Sequence, residues 1–343
     1  MRVALLYGVV TGGGCERRMG DICRWLNDNG DEAHIIASMF DGLGEAVLHG
    51  QCGVPVDRVH YFHSPGMFDK YDGDWGKFVY ATLADLGADL VDVQWFLDGM
   101  PPAFPCCSVA TVHGAVPPPP ATLVQAVISV EENEGLRRWY DHTHPRVMVR
   151  VVQNWVNLKR YPYQERLGEG IVFVGRSFKM GNVRKIAGYY APSVIEAYGT
   201  SHSHMTDLPA NVNWHGFVDP TTVIYRHRVL FASAQCALEG VAAGRLVIAG
   251  QNLHLPPDSM PNVYPDGRLV TPDNVESMVG DGMQFSYVVG REPTPEEVWY
   301  DTQKALRYDF TKERRELRRR VERMHNIDTQ IAMVRDVYRE VVG

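Results

Sequence analysis

An α/β fold built on parallel strands is predicted for this chain, and three observations predict it. Residues 229–250, VLFASAQCALEGVAAGRLVIAG, read as strand, loop of small residues, helix and strand. Val229–Phe231 and Leu246–Ala249 are apolar runs of strand length, Leu238, Val241 and Ala242 recur at helical spacing, and Gly244 stands where a helix stop belongs. The N-terminus repeats this βαβ pattern: strand Val3–Tyr7, Gly12-Gly13-Gly14, a helix over Glu16–Asn29 with Met19, Ile22, Cys23 and Leu26 on one face, Gly30 as stop, and strand Ala33–Ala37. Finally, a new apolar strand opens at Ile171 after the polar stretch Arg160–Leu167, which divides the chain near residue 165 into two domains of ordinary size.

The remaining elements follow in order. Apolar runs bounded by turn residues predict strands at Leu90–Trp95, Ser108–His113, Ala126–Val130 and Val147–Gln153. Pro117–Pro120 must be extended, and Asp69–Trp75, DKYDGDW, reads as an exposed acidic and aromatic loop. The second half predicts a helix around Ile186–Tyr198, a strand Val212–His215, a helix near Thr221–His227, a strand Arg268–Thr271 and helices Pro295–Arg307 and Lys312–Arg323. A closing amphipathic helix, Asp328–Val342, carries Ile331, Val334, Tyr338 and Val341 along one side.

Composition narrows the function classes. With 343 residues and 45% hydrophobic content the chain can bury a core in each of two domains. The apolar run Val3–Tyr7 is too short for a membrane span and lacks a signal-peptide layout, so a cytoplasmic protein is expected. Cys15, Cys23, Cys52, Cys106, Cys107 and Cys236 have no zinc spacing and are expected to be reduced and mostly buried. A net charge of −7 gives no general attraction to nucleic acid. The seven cations and three acids of Lys312–Arg323 read as a solvated face, and a nucleic-acid groove there is the less favoured reading.

Chemistry is expected at the carboxyl ends of strands, where open α/β sheets bind ligands. The loop Ala232-Ser233-Ala234 leaves room for a ligand near the helix start, whose N–H groups and positive dipole end suit a phosphate. Glu239, placed in or near the first turn, either accepts hydrogen bonds from sugar hydroxyls or merely favours the helix dipole. The N-terminal glycines either let a backbone approach a ligand or merely make a tight turn, and Arg17 stands where the last glycine of GxGxxG would be, which speaks against a dinucleotide fingerprint. His113 ends a strand, and Arg176 and Lys179 follow one, so the two cations can face a diphosphate. His60 with His63, and His202 with His204, are pairs without a third ligand; they read as surface residues, and no metal site is expected.

The ordered set of motifs resembles a known family. VNWHGFVDP, FASAQCALEGVAAGRLVIAG and GRLVTPDN, preceded by the N-terminal glycine loop and helix, by TVHG and by QNWVNLKRY, are similar to the retaining nucleotide-sugar glycosyltransferases of the glycosyltransferase-B fold, which include sucrose, trehalose and mannosyl transferases. The resemblance runs over most of the chain. It implies two Rossmann-like domains facing across a cleft: an acceptor-side domain over 1–165, a donor domain over 166–325, and a closing helix, 326–343, returning to the first. It implies sugar transfer with retention and without a metal, from a UDP- or GDP-linked sugar held as co-substrate, with no further cofactor. Residue by residue, it implies that Gly13 and Gly14 approach the donor, that His113 lies near the transferred sugar and that Asn154, Val156 and Asn157 form the crossing element. Arg176 and Lys179 would neutralise the diphosphate, backbone at Ser233, Ala234, Gln235 and Cys236 would meet it, and Glu239 would hold the ribose. One departure stands out: the family's first glutamate, eight residues before the second, is here Phe231. A nucleotide-sugar-binding protein without catalysis is therefore an alternative, as is a transferase acting on a modified nucleic-acid base.

Overall fold

The computed structural model describes residues 1–10, 13–39, 42–63, 73–94, 100–113, 123–130, 134–176, 180–200, 208–249, 269–273, 275 and 294–343. These form two compact units, Met1–Gln153 with Asp328–Gly343, and Asn154–Ile327. The change of unit falls at Gln153/Asn154, earlier than the position near 165 that the sequence predicts. The reason is packing: Val156 and Tyr161 lie in the same core cluster as Leu238 and Val321, and Gln235 Nε2 donates to the Trp155 carbonyl at 2.7 Å.

In the first unit, β1 (Arg2–Val10), β2 (Glu32–Met39), β3 (Val59–His63), β4 (Leu90–Val93), β5 (Cys107–Val112), β6 (Ala126–Ser129) and β7 (Met148–Val151) form one sheet in the order β3-β2-β1-β4-β5-β6-β7. Every pairing is parallel. Val3, Ala4, Leu5 and Leu6 of β1 are all fully buried, the near-continuous apolar run expected of a parallel strand covered on both faces. Helix α1 (Gly14–Asp28) buries Met19, Ile22, Cys23 and Leu26. Helix α2 (Gly73–Leu86) corrects the expected loop: residues 69–72 lie outside the described set, but Trp75 is fully buried, stacked on Phe78 and edge-on to Phe62. Trp75, Phe78, Val79 and Leu83 recur at helical spacing, a pattern that the acidic flank obscures. Helix α3 (Glu134–Thr143) completes this part of the unit.

The second unit has β8 (Ile171–Val174), α4 (Gly181–Tyr190), β9 (Ile195–Tyr198), β10 (Val212–Trp214), β11 (Val229–Ala232), α5 (Ala234–Ala242) and β12 (Leu246–Ala249), with strand order β10-β9-β8-β11-β12, again parallel. The helix expected over Ile186–Tyr198 stops at Tyr190, because Pro192 cannot continue a helix and Ile195–Tyr198 is short enough to be a strand. The helix expected near Thr221–His227 is two single turns, Pro220–Thr222 and Ile224–Arg226, the first opened by the Asp219 side chain accepting from the Thr221 N–H. Of the expected strand Arg268–Thr271, Arg268 lies outside the described residues and Leu269 makes a lone antiparallel bridge to Ile248.

Three helices end the chain. Helix α6 (Pro295–Arg307) starts at a capping box of Thr294 and Glu297. Helix α7 (Thr311–Met324) follows, and α8 (Ile327–Val342) lies against the first unit. Ile331, Val334, Val337 and Tyr338 of α8 are buried, Arg335 Nε lies 2.6 Å from Asp31 Oδ2, and the Trp25 indole donates to Asp328 at 3.0 Å. Among the described residues no helix is long and apolar enough to cross a membrane.

Candidate functional site

In both sheets the strand order reverses at one point, between β1 and β4 in the first and between β8 and β11 in the second. Loops leaving such a point part to opposite sides and open a crevice at the carboxyl ends of the strands, where ligands bind. Of the residues expected at a site, His113, Arg176 and Ser233 stand just beyond the ends of β5, β8 and β11.

In the second unit, Gly175 and Arg176 follow the end of β8. The Gly175 N–H donates to the Tyr198 carbonyl at 3.0 Å and the Gly199 N–H to the Gly216 carbonyl at 2.8 Å. A Cβ on Gly199 would lie 1.7 Å from the Gly175 oxygen, so only glycine lets these strand ends close together and set the direction in which Arg176 leaves. Arg176 is half-buried and forms no ion pair with a described residue. Lys179 lies outside the described residues.

At the end of β11, Ser233 is the N-cap residue of α5, with extended backbone and no side-chain cap. Ala234 follows in the left-handed region, φ 49°, a conformation costing about 1–2 kcal/mol for a residue with a Cβ. Strain of this kind gathers at ligand sites. Gln235 is turned inward: its Nε2 donates to the Trp155 carbonyl and, at 3.3 Å, to Glu239 Oε1, so it holds Glu239 rather than pointing at a ligand. Cys236 is half-buried. Glu239 is 1% exposed and lies in the second turn of α5, which corrects the expectation that it stands in or near the first. The dipole effect fades within one turn, so the dipole reading loses its basis. Phe231, the position counted back from Glu239, is fully buried inside β11, and the helix starts one residue after Ser233. The shortened loop therefore has no place for a carboxylate there.

In the first unit, Gly13 is the N-cap residue of α1, and its N–H is taken by Glu16 Oε2 at 2.8 Å in a capping box. Gly13 thus offers no amide to an anion, whereas Gly14 is exposed in the first turn. His113 follows β5, and its Nε2 lies 2.9 Å from Gln94 Oε1. Gln94 Nε2 donates to Asp92 Oδ2 at 2.7 Å, Thr111 donates to Asp92 Oδ1 at 2.9 Å, and the Tyr338 hydroxyl of α8 donates to Asp92 Oδ2. Burial raises the Asp92 pKa to about 6, while the Tyr338 and Thr111 hydroxyls and the Arg18 charge pull it down. Burial and then the Arg18 charge lower His113 to about 3, so the ring is neutral at ordinary pH. Burial lowers Arg18 to about 10 against the attraction of Asp92, and raises Tyr338.

Asp92, Gln94, Thr111, Arg18 and Tyr338 were not singled out from sequence. A signal exists: two mostly apolar strands carry polar residues two apart at their ends, Asp92 on β4 with Gln94 just after it and Thr111 on β5 with His113 just after it, and period-two spacing puts each pair on one face. Tyr338 carries no such mark, since a tyrosine in an amphipathic stripe reads as core.

Other expectations resolve simply. His60 is bonded to His34, ring nitrogens 3.1 Å apart, and is half-buried rather than a plain surface residue. His63 ends β3, and His202 and His204 lie outside the described residues. Among the described residues no three His, Cys, Asp or Glu side chains are grouped to hold a metal ion. Cys23 and Cys52 are buried, while the other four cysteines are half-buried. Much of the cationic run on α7 is engaged within its own unit: Arg314 is buried against the carbonyls of Asp309, Gly244 and Glu165, Arg318 reaches those of Tyr161 and Ala242, and Arg315 pairs with Glu165.

No family model matches the chain and no curated protein matches its sequence. Solved structures do. The pneumococcal O-GlcNAc transferase GtfA, in complex with UDP and GlcNAc, is similar with a TM-score of 0.66 at 9% identity, covering 100% of this chain and 99% of that one. WaaG, a glycosyltransferase involved in lipopolysaccharide biosynthesis, gives 0.63 at 11% identity over 98% and 99%. A UDP-GlcNAc 2-epimerase from Neisseria meningitidis bound to UDP-GlcNAc gives 0.58 at 11% over 99% and 100%. Likeness at such identities is a statement about fold, and together with the two reversed parallel sheets it shows that this chain has the glycosyltransferase-B fold.

Proposed function

We propose that this protein is a cytoplasmic glycosyltransferase that moves a sugar from a nucleotide-diphospho-sugar to an acceptor hydroxyl with retention, without a metal ion. The observation that carries the proposal is the carboxyl edge of the second sheet, where Arg176, the uncapped start of α5 and the buried Glu239 stand around one strand-order reversal. A cation and a helix N-terminus answer the two charges of a diphosphate. A buried carboxylate, held on one oxygen by Gln235, suits the paired hydroxyls of a ribose. Lys179 is proposed as the second cation. The first unit supplies Gly14, where backbone can approach the substrate, and His113, whose neutral ring can receive or orient a hydroxyl. The resemblance in sequence motifs and the likeness to GtfA, WaaG and the epimerase, two of which were solved with UDP or a UDP-sugar, support a UDP- or GDP-linked donor.

Calorimetric titration of UDP, GDP, ADP and TDP into wild type and Glu239→Gln tests the reading. One diphosphate should bind wild type, and the variant should bind it roughly ten- to hundredfold more weakly, which corresponds to losing charge-assisted hydrogen bonds of about 1.5–3 kcal/mol. Equal affinities would remove Glu239 from the site, and no binding of any diphosphate would remove the donor assignment. A second reading, binding without transfer, is favoured by Phe231 at the place of the family's first glutamate. Nucleotide-sugar binding with no release of nucleoside diphosphate, to acceptor or to water, would establish it.

A further inference from the structure

Asp92 lies inside the first sheet with no exposed surface, yet it is not part of any surface a substrate reaches. What it does is orient other groups. Its carboxylate receives the Thr111 hydroxyl, at 2.9 Å on Oδ1 and 3.0 Å on Oδ2, and the Tyr338 hydroxyl on Oδ2. It also receives the Gln94 amide nitrogen at 2.7 Å on Oδ2. An ionised carboxylate only accepts hydrogen bonds, so Gln94 must turn its NH2 towards Asp92. The reverse orientation would set two acceptor oxygens against each other in a buried site, which is costly where no water can intervene. The Arg18 guanidinium, also buried, favours the ionised form.

The orientation of Gln94 has a consequence one bond further out. With its nitrogen committed inward, its carbonyl oxygen faces His113 Nε2 at 2.9 Å. A carbonyl oxygen cannot donate, so Nε2 carries the ring hydrogen and Nδ1 carries the lone pair. We propose that Asp92, acting through Gln94, is a positioning residue that holds His113 in its Nε2–H tautomer and presents Nδ1 as an acceptor to a substrate hydroxyl. Tyr338 and Thr111 hold the carboxylate in place, which makes helix α8, from the far end of the chain, part of the arrangement. The contact with substrate rests on the reading of His113 given above; the tautomer does not. The polarity of the chain of bonds is set at its buried end, where exchange with water cannot scramble it.

The test is made on the whole protein with ring-15N histidine, the His113 signal among the 13 histidines being identified by its loss in His113→Gln. Free wild-type protein should show His113 in the Nε2–H form alone. In Asp92→Asn and Asp92→Leu, which remove the acceptor-only group and free Gln94 to turn, the Nδ1–H form should become populated. The two variants differ in what they leave beside Arg18, so the measurement survives if one of them fails to fold. A wild-type ring in the Nδ1–H form, or an unchanged Nε2–H ring in the folded variants, would overturn the relay. Hydrolysis or transfer of sugars linked to the diphosphate that the calorimetric panel selects gives the second readout. Turnover should fall by about a hundredfold, the low end of what a positioned acid–base group contributes, while the nucleoside diphosphate binds as before. A tautomer that shifts with turnover unchanged would overturn the contact between His113 and substrate while the relay stands. Loss of diphosphate binding in wild type would instead count against the donor site of the second unit.

Discussion

Asp92 shows how one buried carboxylate shapes both stability and chemistry. Its pKa of about 6 exceeds the ordinary 3.8 because burial disfavours the charge more than three hydrogen-bonded groups and Arg18 restore it. The folded protein therefore binds this proton more tightly than the unfolded chain. The stability it contributes is fully present below the unfolded pKa and is lost as the pH rises through about 6. His113 works in the other direction: its lowered pKa contributes stability above the unfolded value, lost as the pH falls, and comparison of wild type with an Asp92 variant cancels it. Urea denaturation of wild type and Asp92→Asn from about pH 4 to about pH 8 should show wild type losing stability relative to the variant as the pH rises, with the difference level at the alkaline end. A difference of opposite slope would mean that the carboxylate is stabilised in its charged form. Glu239 is the contrasting case, a buried carboxylate whose partner Gln235 is itself anchored on the Trp155 carbonyl.

At the level of elements, the start of α5 is one of two places among the described residues where a non-glycine residue is left-handed, the other being Phe310 before α7. A strand, one cap residue and a helix in immediate succession leave no room for a longer loop, and the turn is made by Ala234 in a left-handed conformation. Ala234→Gly removes the Cβ clash at the cost of a more flexible unfolded chain. The net effect should be a gain of about 0.5–1 kcal/mol, the strain relieved exceeding the entropy lost. Equilibrium denaturation measures it, and a loss of stability would show that the left-handed alanine is not strained. Calorimetry on the same variant should show weaker diphosphate binding, by about two- to tenfold, if the strained turn pre-organises the N–H groups of α5. Stabler protein with unchanged binding would separate the strain from the site.

At the scale of the whole molecule, two parallel sheets of like construction each place chemistry at the point where strand order reverses. The proposed charge balance for the diphosphate is met by fixed cations and helix N–H groups. Diphosphate affinity should therefore be the same in EDTA and in magnesium to within about twofold, and Arg176→Ala should weaken it by about 1.5–3 kcal/mol. Binding abolished by EDTA and restored by magnesium would show that an ion bridges the phosphates. Proton NMR of the first-formed product reports whether the anomeric configuration is kept.

The α/β class, the central strands and the position of most helices are legible along the chain, because parallel strands buried on both faces are short apolar runs and surface helices carry a 3.6-residue stripe. Local pattern failed where two signals competed: the acidic flank hid the helix that buries Trp75, and apolar residues on both sides of Pro192 read as one helix rather than helix and strand. Strand ends with Gly13, His113, Arg176 and Ser233 were legible, since a residue's place relative to a strand end is a local property. Which groups meet depends on packing. Asp92 and Tyr338 are 246 positions apart, and Gln235 reaches back to Trp155. Neither pairing leaves a mark in composition or periodicity, because a hydrogen bond between distant residues depends on how sheet and helix pack and not on the spacing of residues along the chain.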